Sequence, residues 1–389
     1  ERIYSALLSP LTAALPAVIG KLLLTDALLL WWCLAAMVVF WRMATDGATV
    51  SRAAWFWLCV GLGILTKGPA ILLFVGAFGL ALLIQDPKSK IQNWRVFWLT
   101  SPLCLLVAAP WYVYIAQHAG GTLVQQFLWF EIGSRVVSAP HGHTGPPGYY
   151  VVVGLIGWWP WTVLVPGAII EAWRDRKSDA RLRLLLLWLC LPWLLLELLP
   201  SKLPHYLLPC FVPLAILMGR MWAVGQERAV TRPQRVALGI WIVVVGLLGS
   251  ALIVGAVVAR AATWSLAAGA AGAVLIVGFA LVSRAVRHQR YGAAWSRAAG
   301  TAVVFHMVLG LWLLPALEPY RLSRKIAERA NVLSGPTADV LVCGYQEPSL
   351  FFYLARPVHV CSAAEIAAWP GDCAAPRLLI VSAAELRAA

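Results

Sequence analysis

Apolar runs of a length suited to crossing a bilayer recur along most of this 389-residue chain. They lie near 3–20, 26–41, 53–66, 69–84, 96–116, 149–170, 184–199, 205–222, 236–258, 264–283 and 298–316. A helix needs roughly 20 apolar residues to cross the hydrocarbon core. Within that core each backbone N–H and C=O has to be satisfied inside the segment, so such runs fold as helices. The expected architecture is therefore an all-α polytopic membrane protein, with about eleven spans by that length criterion. The composition agrees, at 61% hydrophobic and 12% charged, against about 25% charged in soluble domains. A net charge of +14 points to topology rather than to nucleic acid, because Lys and Arg collect in cytoplasmic loops. No nucleic-acid partner is expected.

If every run crosses, the connections alternate between two sets, and the cations obey that parity. One set holds Arg42 and Arg52, then Lys88, Lys90 and Arg95, and then the basic clusters at 174–183, 220–235 and 284–297. The other set holds only Lys21, Lys67, Arg135, Lys202 and Arg260. The positive-inside rule makes the first set cytoplasmic. The loop "PSKLPHYLLP" (200–209) then faces outward, and so does everything after residue 316.

The end of the chain changes character. β-rich runs at 339–345, 357–362 and 376–382 alternate with helical patterns at 348–355 and 363–369, which predicts a small α/β domain. The expected division is a transmembrane domain over 1–318 and an external α/β domain over 319–389. Cys343, Cys361 and Cys373 lie in the latter. An external compartment permits a disulfide among them, and three free thiols are the equal alternative.

Polar residues on the outward side are few, so each is informative. Asp26 sits at the mouth of a span, where an ionisable group is costly unless functional; "TDA" before an apolar run equally fits a helix cap. Lys67 precedes Gly68-Pro69 between two short runs, a backbone break tolerated at membrane depth where it lines a cavity. In the long outward loop, Glu131 and Arg135 share a helix face at i, i+4, for function or as a plain surface pair. His141 and His143 form an HxH that suits a metal with a carboxylate, or two solvated loop histidines. Lys202, His205 and Tyr206 complete the outward rim.

A cationic rim with a carboxylate and a phenol suits an anionic lipid head group. It fits transfer of a sugar from a polyprenyl phosphate. There the leaving phosphate must be neutralised, with Lys67, Arg135, Lys202 and Tyr206 as candidates, and a carboxylate must deprotonate the attacking hydroxyl. A transporter or flippase of an anionic or lipid-linked substrate wants similar residues. Transporters, however, bind at the midplane between repeats, whereas these charges sit at one rim and no repeat is visible. A purely structural scaffold leaves the Lys/His/Tyr loop unexplained.

"GLGILTKGPA", "FEIGSRVVSAPHGHTGPPGYYV", "SKLPHYLLPCFVPLAIL" and "GYQEPSLFFYLARPV", in that order, resemble the integral-membrane glycosyltransferases of the GT-C fold. The resemblance is to the superfamily of lipid-A aminoarabinose transferases and dolichyl-phosphate-mannose–protein mannosyltransferases. It implies an undecaprenyl- or dolichyl-phosphate sugar donor, a lipid (lipid A-like) or protein acceptor, and inverting transfer on the periplasmic face of a bacterial inner membrane. Membrane lipids are the remaining partners, and no nucleotide cofactor is implied. Asp26 matches an active-site carboxylate, His143 a position for a divalent metal, and Tyr206 a contact to the lipid phosphate. Arg135 and Lys202 lie near the same head group by analogy. His205 stands where the aminoarabinose branch often differs, which leaves the sugar open. The family also carries a first span and a large outward loop with its principal catalytic Asp. The chain here starts at Glu1 after that region, so a fragment inactive on its own is expected.

Overall fold

The computed structural model describes residues 13–19, 24–85, 94–119, 144–227, 232–259, 263–334, 339–345, 347–361, 377–382 and 386. Glu131, Arg135, His141, His143 and Cys373 lie outside the described residues. Helices occupy every apolar run from residue 26 onward: α1 (Ala14–Ile19) is followed by α2 (Asp26–Asp46), α3 (Val50–Lys67), α4 (Ala70–Gln85), α5 (Trp94–Leu99) and α6 (Pro102–Ala119). Then come α7 (Tyr149–Gly157), α8 (Val165–Asp175), α9 (Ala180–Leu198), α10 (Leu208–Glu227), α11 (Arg232–Val258), α12 (Ser265–Arg287) and α13 (Tyr291–Val308). Among the described residues, five helical stretches are long and apolar enough to cross a membrane, or six if one bent pair is a single span. The protein is a multi-pass membrane protein.

The bent pair changes the expected span over 149–170. The path bends by 112° between Tyr149–Gly157 and Trp161–Asp175, across Trp158-Trp159-Pro160. Pro160 has no N–H to give and its ring obstructs the preceding turn, so the helix cannot run through. The Trp159 carbonyl accepts instead from the Ala14 N–H at 2.9 Å. Trp158 is fully buried and stacks on Phe211 at 4.6 Å between ring centroids.

The join between α3 and α4 is a second break, as the sequence predicts. The Gly68 N–H closes the end of α3 on the Ile64 carbonyl at 2.8 Å, and Gly68 itself takes φ 62° and ψ −157°. This backbone region is open essentially to glycine alone. Pro69 then starts a new helix direction.

The chain divides into two compact units, one of residues 1–251 with 272–306, the other of 252–271 with 307–389. The second unit contains the expected α/β segment: a parallel sheet in the order β2-β1-β3, with β1 at Asp339–Cys343, β2 at Val358–Val360 and β3 at Arg377–Val381. The helix Pro348–Leu354 makes the crossover between β1 and β2. Its Leu350 and Leu354 pack with Val340, Val342, Ala327 and Ala330 into a small closed core. Cys343 and Cys361 are free thiols. Leu350 is fully buried, and Leu350→Ala is expected to cost this core about 2–5 kcal/mol. Faster amide hydrogen exchange over 339–360, with exchange over 26–85 unchanged, is the measurement that checks it.

Candidate active site

Helices α2 and α3 form an antiparallel hairpin closed by the turn Gly47–Thr49, so the start of one and the end of the other lie side by side. Asp26 opens α2, and Lys67 closes α3. Each charge suits its place, since the positive end of the helix dipole favours a carboxylate and the negative end an ammonium. The Lys67 Nζ donates to both Asp26 oxygens, at 2.7 Å each. Asp26 is 5% exposed. The residue in the capping position is Thr25, whose side chain caps nothing. The Asp26 carboxylate is thus engaged by Lys67.

The turn at 200–207 brings in the other side chains. Pro204–Leu207 is a short 3-10 helix, entered through an extended Leu203 and continued directly into α10. It presents His205 and Tyr206 beside the ion pair. The His205 Nε2 stands 3.8 Å from Asp26 Oδ2. Its ring meets Tyr206 edge-on at 5.0 Å, and the Lys67 ammonium lies over the Tyr206 ring, 5.5 Å from its centroid. All four side chains line one cavity of about 480 Å³. The rest of its wall is largely apolar, with Leu29, Leu65, Leu73, Phe74, Trp111 and Leu196, and Gly68 and Pro69 sit at the break between α3 and α4. The cavity thus combines a few charged and polar side chains with a largely apolar wall.

Lys202 sits apart from this group. It is 6% exposed and does not line the cavity. Its Nζ lies 2.6 Å from Glu197 Oε2 and 3.2 Å from the Pro146 carbonyl. The structure thus brings Asp26, Lys67, His205 and Tyr206 together and gives Lys202 to Glu197. Sequence reasoning passed over Glu197, although an acid inside the run 184–199 and five residues before a lysine was a usable signal. Among the described residues, no group of three or more His, Cys, Asp or Glu is placed to hold a metal ion. At Asp26 both carboxylate oxygens are already engaged by an ammonium.

Residues 4–122 match the dolichyl-phosphate-mannose-protein mannosyltransferase family. The chain is 34% identical over 220 residues to the undecaprenyl phosphate-alpha-4-amino-4-deoxy-L-arabinose arabinosyl transferase of Edwardsiella ictaluri (strain 93-146), covering 55% of this chain and 39% of that protein. With the enzyme of the same name from Enterobacter sp. (strain 638) it shares 32% over 256 residues, 64% of this chain and 44% of the other. The chain spans about two fifths of the length of these curated relatives. In three dimensions it resembles ArnT from Cupriavidus metallidurans, in crystal structures of the apo state and of the complex with undecaprenyl phosphate. The TM-score is 0.68 at 17% identity, over 92% of this chain and 66% of that one. The fold is shared.

Removing one partner of a buried ion pair costs about 3–5 kcal/mol because the other charge is left uncompensated. Lys67 keeps 23% of its side chain exposed, so Lys67→Met is expected at or below the low end of that range. Adding Asp26→Asn should recover most of the loss. Thermal unfolding of the single and double variants in detergent checks both.

Proposed function

We propose that this chain belongs to the GT-C superfamily that joins aminoarabinose transferases to protein mannosyltransferases, and that it serves in the transfer of a sugar from a polyprenyl phosphate. The donor is an undecaprenyl-phosphate-linked sugar and the acceptor a lipid A-like hydroxyl compound. Transfer inverts the anomeric centre. The membrane is the bacterial inner membrane, and the site and the C-terminal segment face the periplasm; the parity of the basic loops supports that orientation. The observation that carries the proposal is the Asp26–Lys67 pair with Tyr206 in the wall of a largely apolar cavity.

Each residue has a definite task in that reaction. The bond from the anomeric carbon to the phosphate oxygen breaks, and the phosphate leaves with the electron pair. The Lys67 ammonium neutralises the charge that develops there, and the Tyr206 hydroxyl donates a hydrogen bond to it. An ammonium drawn toward phosphate releases the Asp26 oxygens, and the free carboxylate takes the proton of the attacking hydroxyl. The apolar wall receives the first isoprene units and keeps water from the sugar. Arg135 is assigned to the same phosphate by resemblance, and His143 to a divalent cation.

Hydrogen bonds to charged groups are worth about 1.5–3 kcal/mol, which is roughly ten- to a hundredfold in binding. In the full-length protein, Tyr206→Phe and Lys67→Ala are expected to weaken donor use by that order. Asp26→Asn should leave donor binding intact and slow transfer. An assay with undecaprenyl-phosphate-linked sugar and lipid A, read by mass spectrometry, decides. Unchanged turnover in all three variants removes the site assignment, and donor binding without any sugar transfer makes the chain a carrier of that lipid instead. A chelator is expected to lower activity, with recovery on adding a divalent cation; indifference to chelation removes His143 as a ligand.

A further inference from the structure

We infer that the buried Lys202 and the half-buried Glu197 are a positioning pair, which fixes the 200–207 turn so that His205 and Tyr206 face the cavity. The inference rests on the functional proposal in one respect only, that Tyr206 meets the donor's phosphate.

Glu197 lies in the last turn of α9, an unfavourable place for an acid. The negative end of the helix dipole opposes the carboxylate, and only 18% of the side chain is exposed. A leucine there would be cheaper, since replacing a buried ion pair by apolar residues of similar size is often neutral or stabilising. What the carboxylate does instead is tie together three stretches of chain. Its Oε1 accepts from the Tyr150 N–H at 2.9 Å, which fixes the start of α7. Its Oε2 accepts from Lys202 at 2.6 Å, and Lys202 also reaches the Pro146 carbonyl at 3.2 Å. The fully buried Tyr150 then returns a contact to the turn, its hydroxyl accepting from the Leu203 N–H at 3.3 Å. A bridge pairs Thr144 with Ser201.

The turn has little regular structure of its own to hold it. Leu199 and Leu203 are both extended, with ψ near 135° and 140°, so the chain leaves α9 and approaches Pro204 without a helical frame. Its heading is set by cross-links to residues 144–150. Tyr206 follows Lys202 by four residues, within the same short segment. A shift of the lysine is therefore carried to the phenol and to the Asp26–Lys67 pair beneath it. Lys202 thus acts on the head group through Tyr206.

The test uses the full-length protein in detergent with Glu197→Gln and the charge-neutral double variant Glu197→Gln/Lys202→Met. The first readout needs no lipid: the rate at which diethyl pyrocarbonate modifies His205, followed by mass spectrometry of its peptide. The second is the Kd for undecaprenyl phosphate in Glu197→Gln, Tyr206→Phe and the two combined. We expect His205 to react severalfold faster in Glu197→Gln. Each single variant should bind about tenfold more weakly, and the combination no more weakly than either, because residues acting through one contact are not additive. A lower melting temperature with unchanged His205 reactivity and unchanged Kd overturns the inference, and so do effects on Kd that multiply. Failure of the unsubstituted protein to bind undecaprenyl phosphate refutes the functional proposal instead, and His205 reactivity then decides positioning alone. Should Glu197→Gln not fold, the charge-neutral double variant carries the same measurements, with the same outcomes for and against.

Discussion

A charge held among hydrocarbon needs a partner, because the energy of an unpaired ion in a low-dielectric interior exceeds what folding can supply. That constraint shapes the polar end of this protein. Two carboxylates and two ammonium groups sit at neighbouring helix ends, and they sort into Asp26 with Lys67 and Glu197 with Lys202. The pairs look alike chemically and differ in where they stand. One faces a cavity with a phenol and an imidazole beside it; the other is enclosed between a helix end, a glycine-proline loop and a buried tyrosine. Access divides them: of these two lysines, Lys67 lines the cavity and Lys202 does not.

The cavity itself is a product of interrupted helices. Continuous helices across the membrane would close the space between them and leave no backbone turn at its mouth. Here Gly68-Pro69 ends α3 just after Lys67, and Pro204 restarts the chain just before His205 and Tyr206. Each proline or glycine lies one or two residues from a site side chain. The same breaks that end or restart a helix therefore stand beside the side chains that line the cavity.

Much of this was legible in the chain. Hydrophobic length marked the helices, and the α/β segment after them was marked by alternation of β-rich and helical runs. Asp26, Lys67 and Tyr206 stood out because charges and phenols are rare on that side. Lys202 stood out for the same reason, and a lysine near a rim reads alike whether it faces a ligand or an acid such as Glu197. Glu197 was missed because it belongs to an apolar run, where its partner lies across a turn. The bend at Trp158-Trp159-Pro160 was hidden inside a run of apolar residues that read as one span.

The sequence by itself determined that this chain is a bundle of membrane helices with a small α/β segment, and which few polar residues are available for chemistry. Hydrophobic length and β periodicity are local properties, and each residue carries them alone. The tertiary structure decided which charges pair and which face a cavity. The Asp26–Lys67 pair spans 41 residues, and the backbone tie that places the Glu197 carboxylate spans 47 to Tyr150. Those distances are set by how helices pack and where they break, and no local pattern in the chain encodes them.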